Sequence, residues 1–316
     1  MTGLQRRRVG LAGRWLVTGL VIGLVVQAVD GPALWRELSG IALWVLVPAL
    51  LLSVLQVVIS AWRWRYTAQR LGVPLRLGLA VQEYYLATFL NQVLPGGVLG
   101  DVHRAWRHGT SAGERLAAAH AVAIERLSGQ VALLLVVLAS VIGLVQAGHL
   151  HVGAPGGGWW PVVAIAIPGL AVWLAARLGA GDYLVRLRRD LHRALLSGAA
   201  LPVQMASSLL VLASYLGVFL LLAAGAGYLA GLAPSLVLVG LCSVLLLSMV
   251  IPLTVAGWGV REGTAAVLWP LAGLPAEQGV ALSVGYGALV LISSLPGAAM
   301  IFMGRGTARN VRRSGA

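Results

Sequence analysis

Glu83-Tyr84-Tyr85-Leu86-Ala87-Thr88-Phe89-Leu90-Asn91-Gln92-Val93-Leu94-Pro95-Gly96-Gly97-Val98-Leu99-Gly100-Asp101-Val102-His103-Arg104 is the stretch on which the architecture turns. It starts apolar enough to lie in a bilayer, yet it carries Glu83 and stops at a proline followed by two glycines. Proline removes a helical donor and clashes with the preceding turn, and glycine then permits tight, unwound backbone. A second stretch, from Ser248 through Pro252 and Gly257 to Gly263, follows the same plan. Pro95, Gly100 and Arg104 fall at the same offsets as Pro252, Gly257 and Arg261. Unwound backbone at membrane depth is stable only where protein or a water-filled cavity covers it. Paired interruptions in the two halves of a chain point to a transporter's substrate site. The competing reading, a pair of ordinary helix-ending loops at the interface, stays open on the sequence alone.

Composition fixes the surroundings of these stretches. Hydrophobic residues make up 59% of the chain and charged residues 10%, against roughly 25% charge in a soluble domain. Apolar segments run at about 13–29, 41–60, 78–94, 116–146, 159–178, 203–230, 234–256, 263–273 and 280–303, and a helical crossing takes roughly 20 residues. They lack the alternation of an outer-membrane barrel. The expected fold is all-α: one integral membrane domain over 1–316, with about eight crossings. Broken or re-entrant helices are expected near 78–100 and 250–273, with an internal pseudo-repeat as one reading.

The net charge is +13, and all 23 basic residues are arginine. Because they flank apolar spans, they read as orientation signals and not as a nucleic-acid surface. The balance is best satisfied in a cell inner membrane with both termini cytoplasmic and 78–94 entering and returning on one side. Every arginine except Arg36, Arg126 and Arg261 then lies on the cytoplasmic face. The first apolar segment follows Arg6, Arg7, Arg8 and Arg14 and is expected to stay as a helix, not to be cleaved as a signal. Ala61-Trp62-Arg63-Trp64-Arg65-Tyr66 reads as an interfacial anchor, with rings at headgroup level and guanidiniums in water. His103, His108, His120 and His192 read as exposed loop residues, and no metal or cofactor is expected.

Charges within or beside apolar segments carry the functional reading, since each costs ~2.5–3.5 kcal/mol at a helix centre. The candidate substrate-binding residues are Glu83, Asn91, Gln92, Asp101, Arg104, Glu125, Arg126, Arg261 and Glu262. Pro95, Gly96, Gly97, Gly100, Pro252, Gly257 and Gly259 form the candidate hinges. Arginine offers a fork of donors that matches phosphate oxygens, and it stays charged. Nearby carboxylates either hold the arginines in place or receive an aminoacyl ammonium. The structural alternative makes Glu125 and Arg126 a helix end, or pairs them with Arg261 and Glu262.

At these residues the chain resembles the transmembrane domain of lysylphosphatidylglycerol synthases, also described as flippase-like proteins. Leu94-Pro95-Gly96-Gly97 with Gly100-Asp101 and Arg104 looks like that family's first signature, Glu125-Arg126-Leu127-Ser128-Gly129 its second, and Pro252 through Gly263 its third. The resemblance implies a membrane domain that flips aminoacylated phosphatidylglycerol. In full-length synthases a soluble domain transfers the aminoacyl group from tRNA; no segment here is expected to supply it, so that activity is not carried over.

The leading expectation is therefore a flippase or translocase for an anionic or aminoacylated phospholipid, or for a polyprenyl-phosphate-linked glycolipid. A groove lined by Arg104, Arg126, Arg261 and Glu262 is expected, and Arg261→Ala is expected to abolish activity without unfolding. One alternative is a membrane-embedded headgroup transferase or hydrolase using Asp101, Glu83 or Glu262 as acid or base. Another is a non-catalytic partner of a separately encoded lipid-modifying enzyme. The expected partner is a membrane lipid, with no nucleic acid; a separately encoded lipid-modifying enzyme and an oligomer both stay open as further partners.

Overall fold

The computed structural model describes the backbone of residues 3–94, 97–149, 181–229, 231–250 and 254–313. Pro95, Gly96, Pro252 and the apolar segment at 159–178 lie outside the described residues. The described backbone is helical, with α1 (Gly3–Ala28), α2 (Gly31–Gly40), α3 (Leu46–Arg70), α4 (Leu77–Val93), α5 (Leu99–Ala112) and α6 (Arg115–Gln146) in the first half. The second half holds α7 (Gly181–Leu191), α8 (Leu201–Gly225), α9 (Leu232–Ser248), α10 (Val260–Leu271) and α11 (Ala276–Arg313). Among the described residues, four helices are long and apolar enough to cross a membrane, or five if the pair bent by 97° at α1–α2 counts as one span.

The two interruptions shape helix hairpins. Four features close the first. Arg107 on α5 pairs with Glu83 on α4 at 3.0 Å, and Gly100 lies against the Ala87 backbone. At the tip, the Gly100 N–H donates to Asn91 Oδ1 at 2.7 Å, and Asn91 Nδ2 donates to Asp101 at 3.2 Å. The segment at 78–94 is the single helix α4, and the chain turns back along it as α5, an amphipathic helix in what reads as a polar connection. In the second interruption, α9 stops at Ser248 and α10 begins at Val260. The turn between them takes Ala256 (φ 51°), Gly257 (φ 78°) and Gly259 (φ 87°) into left-handed backbone, which favours glycine. The Val255 N–H donates to Thr18 Oγ1 at 3.0 Å, tying this turn to α1.

Two buried clusters hold the helices together. One gathers Ala49, Leu133, Phe219, Leu241 and Trp269 from α3, α6, α8, α9 and α10. The other gathers Ala61, Trp64, Tyr84 and Ala121 from α3, α4 and α6. Exposed leucines such as Leu55, Leu135, Leu210 and Leu295 cover the outer faces, as expected of helices whose solvent is lipid.

Two expectations are corrected here. Arg63 and Trp64 do not reach headgroups or water, because α3 runs on to Arg70 and buries both, while Trp62 beside them stays exposed. His108 and His120 are not exposed loop residues. His108 is buried on α5 beside the Trp64 ring, and His120 is buried on α6 with Nδ1 at 2.6 Å from Asp190 Oδ2.

Candidate functional site

A buried chain of alternating charge crosses the first half of the molecule. Glu125, a third of the way along α6, is fully buried, so its charge must be met by other side chains. Its Oε1 accepts from Arg63 Nη2, from Arg63 Nε at 3.2 Å and from the Tyr84 hydroxyl at 3.3 Å. Its Oε2 accepts from Arg104 Nη2 at 2.7 Å. Arg104 Nε donates to Asp101 Oδ1 at 2.9 Å, and Arg126 Nη2 donates to the same oxygen at 2.8 Å. The Arg104 guanidinium also lies between the rings of Trp64 and Tyr84, 4.7 and 4.6 Å from their centroids. The order is Arg63, Glu125, Arg104, Asp101, Arg126: three cations against two anions.

Arg261 heads a separate and neutral cluster. Its Nη2 donates to Glu262 Oε1 at 2.7 Å and its Nε to Ser283 Oγ at 2.6 Å, with Trp258 and Tyr286 rings 5.2 and 5.3 Å from the guanidinium. Glu262 Oε2 accepts the Gly259 N–H at 2.6 Å, so the pair also closes the first turn of α10. The expected alternative, pairing of Glu125 and Arg126 with Arg261 and Glu262, is therefore not what the chain does.

A cavity of about 830 Å³ lies where the two buried clusters meet. Gly97, Val98 and Asp101 from the first hairpin and Thr254, Ala256 and Gly257 from the second line the same space. On α6 the lining recurs at Arg115, Ala119, Val122, Arg126, Gln130 and Leu133, one face of the helix. From Arg115 to Leu133 that face covers 19 residues, a rise of about 27 Å. Arg126 is the member of the charge chain that opens most into it, with 39% of its side chain exposed. Its Nε, and the Thr254 hydroxyl that also lines the space, have no hydrogen-bond partner among the described residues.

The cavity receives only part of the expected set. Asn91, Gln92, Asp101, Arg126, Gly97 and Gly257 line it. Arg104, Glu125, Arg261 and Glu262 do not; they are buried in the walls behind it. Arg104, Arg261 and Glu262 were expected to line a groove, but their own ion pairs consume the charge that would face a ligand. Glu83 is buried against Arg107 and is likewise off the cavity. Gly100 and Gly259 act as close-packing and turn positions.

Residues missed from the sequence include Arg63, Tyr84, Arg115 and Gln130, all of which line the cavity. A signal for Arg63 existed: Ser53, Ser60, Arg63 and Thr67 recur with helical spacing on one face of α3, and all four are buried.

Neither the curated proteins nor the solved structures compared with this chain give a match. Residues 11–297 do match the family described as the lysylphosphatidylglycerol synthase TM region. That match spans both hairpins, the charge chain and the part of α11 that lines the cavity. With the match covering most of the chain, the chain belongs to the lysylphosphatidylglycerol synthase transmembrane-region family.

Proposed function

We propose that this protein carries a lipid with a phosphate-bearing headgroup from one leaflet of the inner membrane to the other, with both termini on the cytoplasmic side. The observation that carries the reading is one cavity reached by both interrupted hairpins, with Arg126 open to it. The hairpin tips leave polar backbone at the cavity, and guanidinium is suited to phosphate oxygens. The lining face of α6 rises about 27 Å, close to the roughly 30 Å of a hydrocarbon core. Val98 just before α5, and Val102 and Trp106 on it, line the cavity and are also exposed, which gives acyl chains an apolar flank beside the polar space.

Carriage is favoured over catalysis by the state of the acids. Glu83, Asp101 and Glu262, which a headgroup transferase or hydrolase would use, are each held by an arginine. Reconstitution into liposomes with labelled phosphatidylglycerol tests the reading: label should become accessible across the bilayer faster than in empty liposomes, with lipid mass unchanged. Rates equal to empty liposomes would end it, and altered lipid mass would move the protein among lipid-modifying enzymes.

A further inference from the structure

Resting on the transport reading above, we infer that the cavity holds an uncharged subsite beside Arg126, which takes the hydroxyl groups of a polyol headgroup, a glycerol or a sugar carried on the lipid phosphate. The polar side chains on the cavity wall fall into two sets. Asn91, Thr88 and Ser208 are already bonded: Asn91 to the Gly100 N–H and Asp101, Thr88 to the Tyr84 carbonyl, Ser208 to Arg63 and Ser128. The amides of Gln56, Gln92 and Gln130 have no hydrogen-bond partner among the described residues, and neither has the buried Thr254 hydroxyl. The amides come from α3, α4 and α6, and the hydroxyl comes from the second interruption. Around them Leu133, Val211, Leu212 and Leu246 line the same space. Free amides beside apolar walls at membrane depth are stable only where water or a ligand meets them.

The chemistry of an amide decides the class of ligand. It brings two N–H donors and one carbonyl acceptor, so its full complement is a group that both accepts and donates. An ionised phosphate oxygen only accepts and an ammonium only donates, whereas a hydroxyl does both. The placement fits a headgroup anchored by its phosphate. Gln130 stands four residues past Arg126 on the same face of α6, a rise of about 6 Å, within reach of a glycerol unit whose phosphate sits on the guanidinium. Helices α3 and α6 run antiparallel: Trp64 and Ala121 share one buried cluster, Ala49 and Leu133 the other. Stepping back along α3 from Arg63, which holds Glu125, to Gln56 therefore moves the same way as stepping from Arg126 to Gln130. Gln92 follows Asn91, which is bonded to Asp101 and through it to Arg126. An aminoacyl ester on one glycerol oxygen leaves the other hydroxyl free, so an aminoacylated headgroup fits the same subsite.

Purified full-length protein in liposomes tests this with three acyl-labelled lipids of equal charge: phosphatidylglycerol, phosphatidylinositol and phosphatidylpropanol, the last without headgroup hydroxyls. At least one hydroxylated lipid should move faster than phosphatidylpropanol by about tenfold or more. Preference for phosphatidylglycerol assigns the subsite to a glycerol, and preference for phosphatidylinositol to a sugar-like ring. Movement of phosphatidylpropanol within about threefold of both overturns the inference. Retention in detergent, read by native mass spectrometry, separates the subsite from the transport reading. If nothing is transported but a hydroxylated lipid is retained in preference to phosphatidylpropanol, transport fails and the subsite stands. Equal retention of all three, or of none, overturns the subsite. Gln56→Leu combined with Gln130→Leu strands no partner, so the thermal midpoint should hold while the preference shrinks to about threefold or less. A wild-type ratio in that variant overturns the assignment.

Discussion

Gly287 on α11 leaves the space that the Arg261 guanidinium fills. A Cβ there would overlap Nη2 and come within 2.7 Å of the Trp258 ring. The guanidinium cannot swing away cheaply, since Glu262 and Ser283 hold it. Gly287→Ala is expected to cost about 1–3 kcal/mol by overpacking, seen as a lowered thermal midpoint in detergent. A wild-type midpoint would show that the cluster yields.

Arg261→Ala should fail to give well-folded protein. Buried Glu262 would keep only the Gly259 N–H and Ser283, and stranding one member of a buried pair costs about 3–5 kcal/mol. This revises the expectation from sequence, in which the variant folds and only transport is lost. Size-exclusion profiles and thermal midpoints decide between them: a monodisperse variant of normal stability returns Arg261 to the ligand-facing set.

Arg126→Gln should fold and fail to transport. Asp101 would keep Arg104 and Asn91, so no carboxylate is orphaned. We expect a near-normal thermal midpoint and a transport rate lowered by about tenfold or more. Wild-type rates would remove Arg126 from the headgroup path.

Arg104→Lys should not rescue Arg104→Ala. The site needs a planar cation between two rings that also reaches Asp101 and Glu125, and an ammonium cannot meet all four. Both variants are expected to lose stability, by about 3–5 kcal/mol for alanine. A lysine variant as stable as wild type would contradict the geometry.

Gly100→Ala and Gly297→Ala should each loosen α4. Added Cβ atoms would lie 2.6 Å from the Ala87 and Tyr85 carbonyl carbons, backbone that no rotamer change can move. Lower midpoints in both variants are expected; tolerance of both would mean that α4 sits less tightly between α5 and α11 than its backbone contacts require.

Hydropathy alone gives α6 almost to its ends, because the apolar run at 116–146 is long and breaks only at Gly113 and Glu114. It locates the hairpin tips because proline and glycine act locally. It misjudges α3, since tryptophans beside arginines look interfacial when the partner that draws Arg63 inward, Glu125, is 62 residues away. The same distance explains the confusion between wall and lining. Sequence reports that Arg104, Arg126 and Arg261 are charged, whereas which of them faces a cavity depends also on partners on other helices: Glu125 for Arg104, Asp101 for Arg126 and Ser283 for Arg261.

The Arg63–Glu125 pair also bears on how the chain is made. During synthesis α3 emerges first, carrying a guanidinium whose counter-ion belongs to α6. A lone charge costs up to ~2.5–3.5 kcal/mol at a helix centre, and Arg63 and Glu125, inside α3 and α6, each carry part of that cost until they meet. Release of α3 into the bilayer by itself is therefore disfavoured. Helices α3 through α6 are best handed over by the insertion machinery as a group, so the ion pair sets an order of assembly before it serves the finished protein.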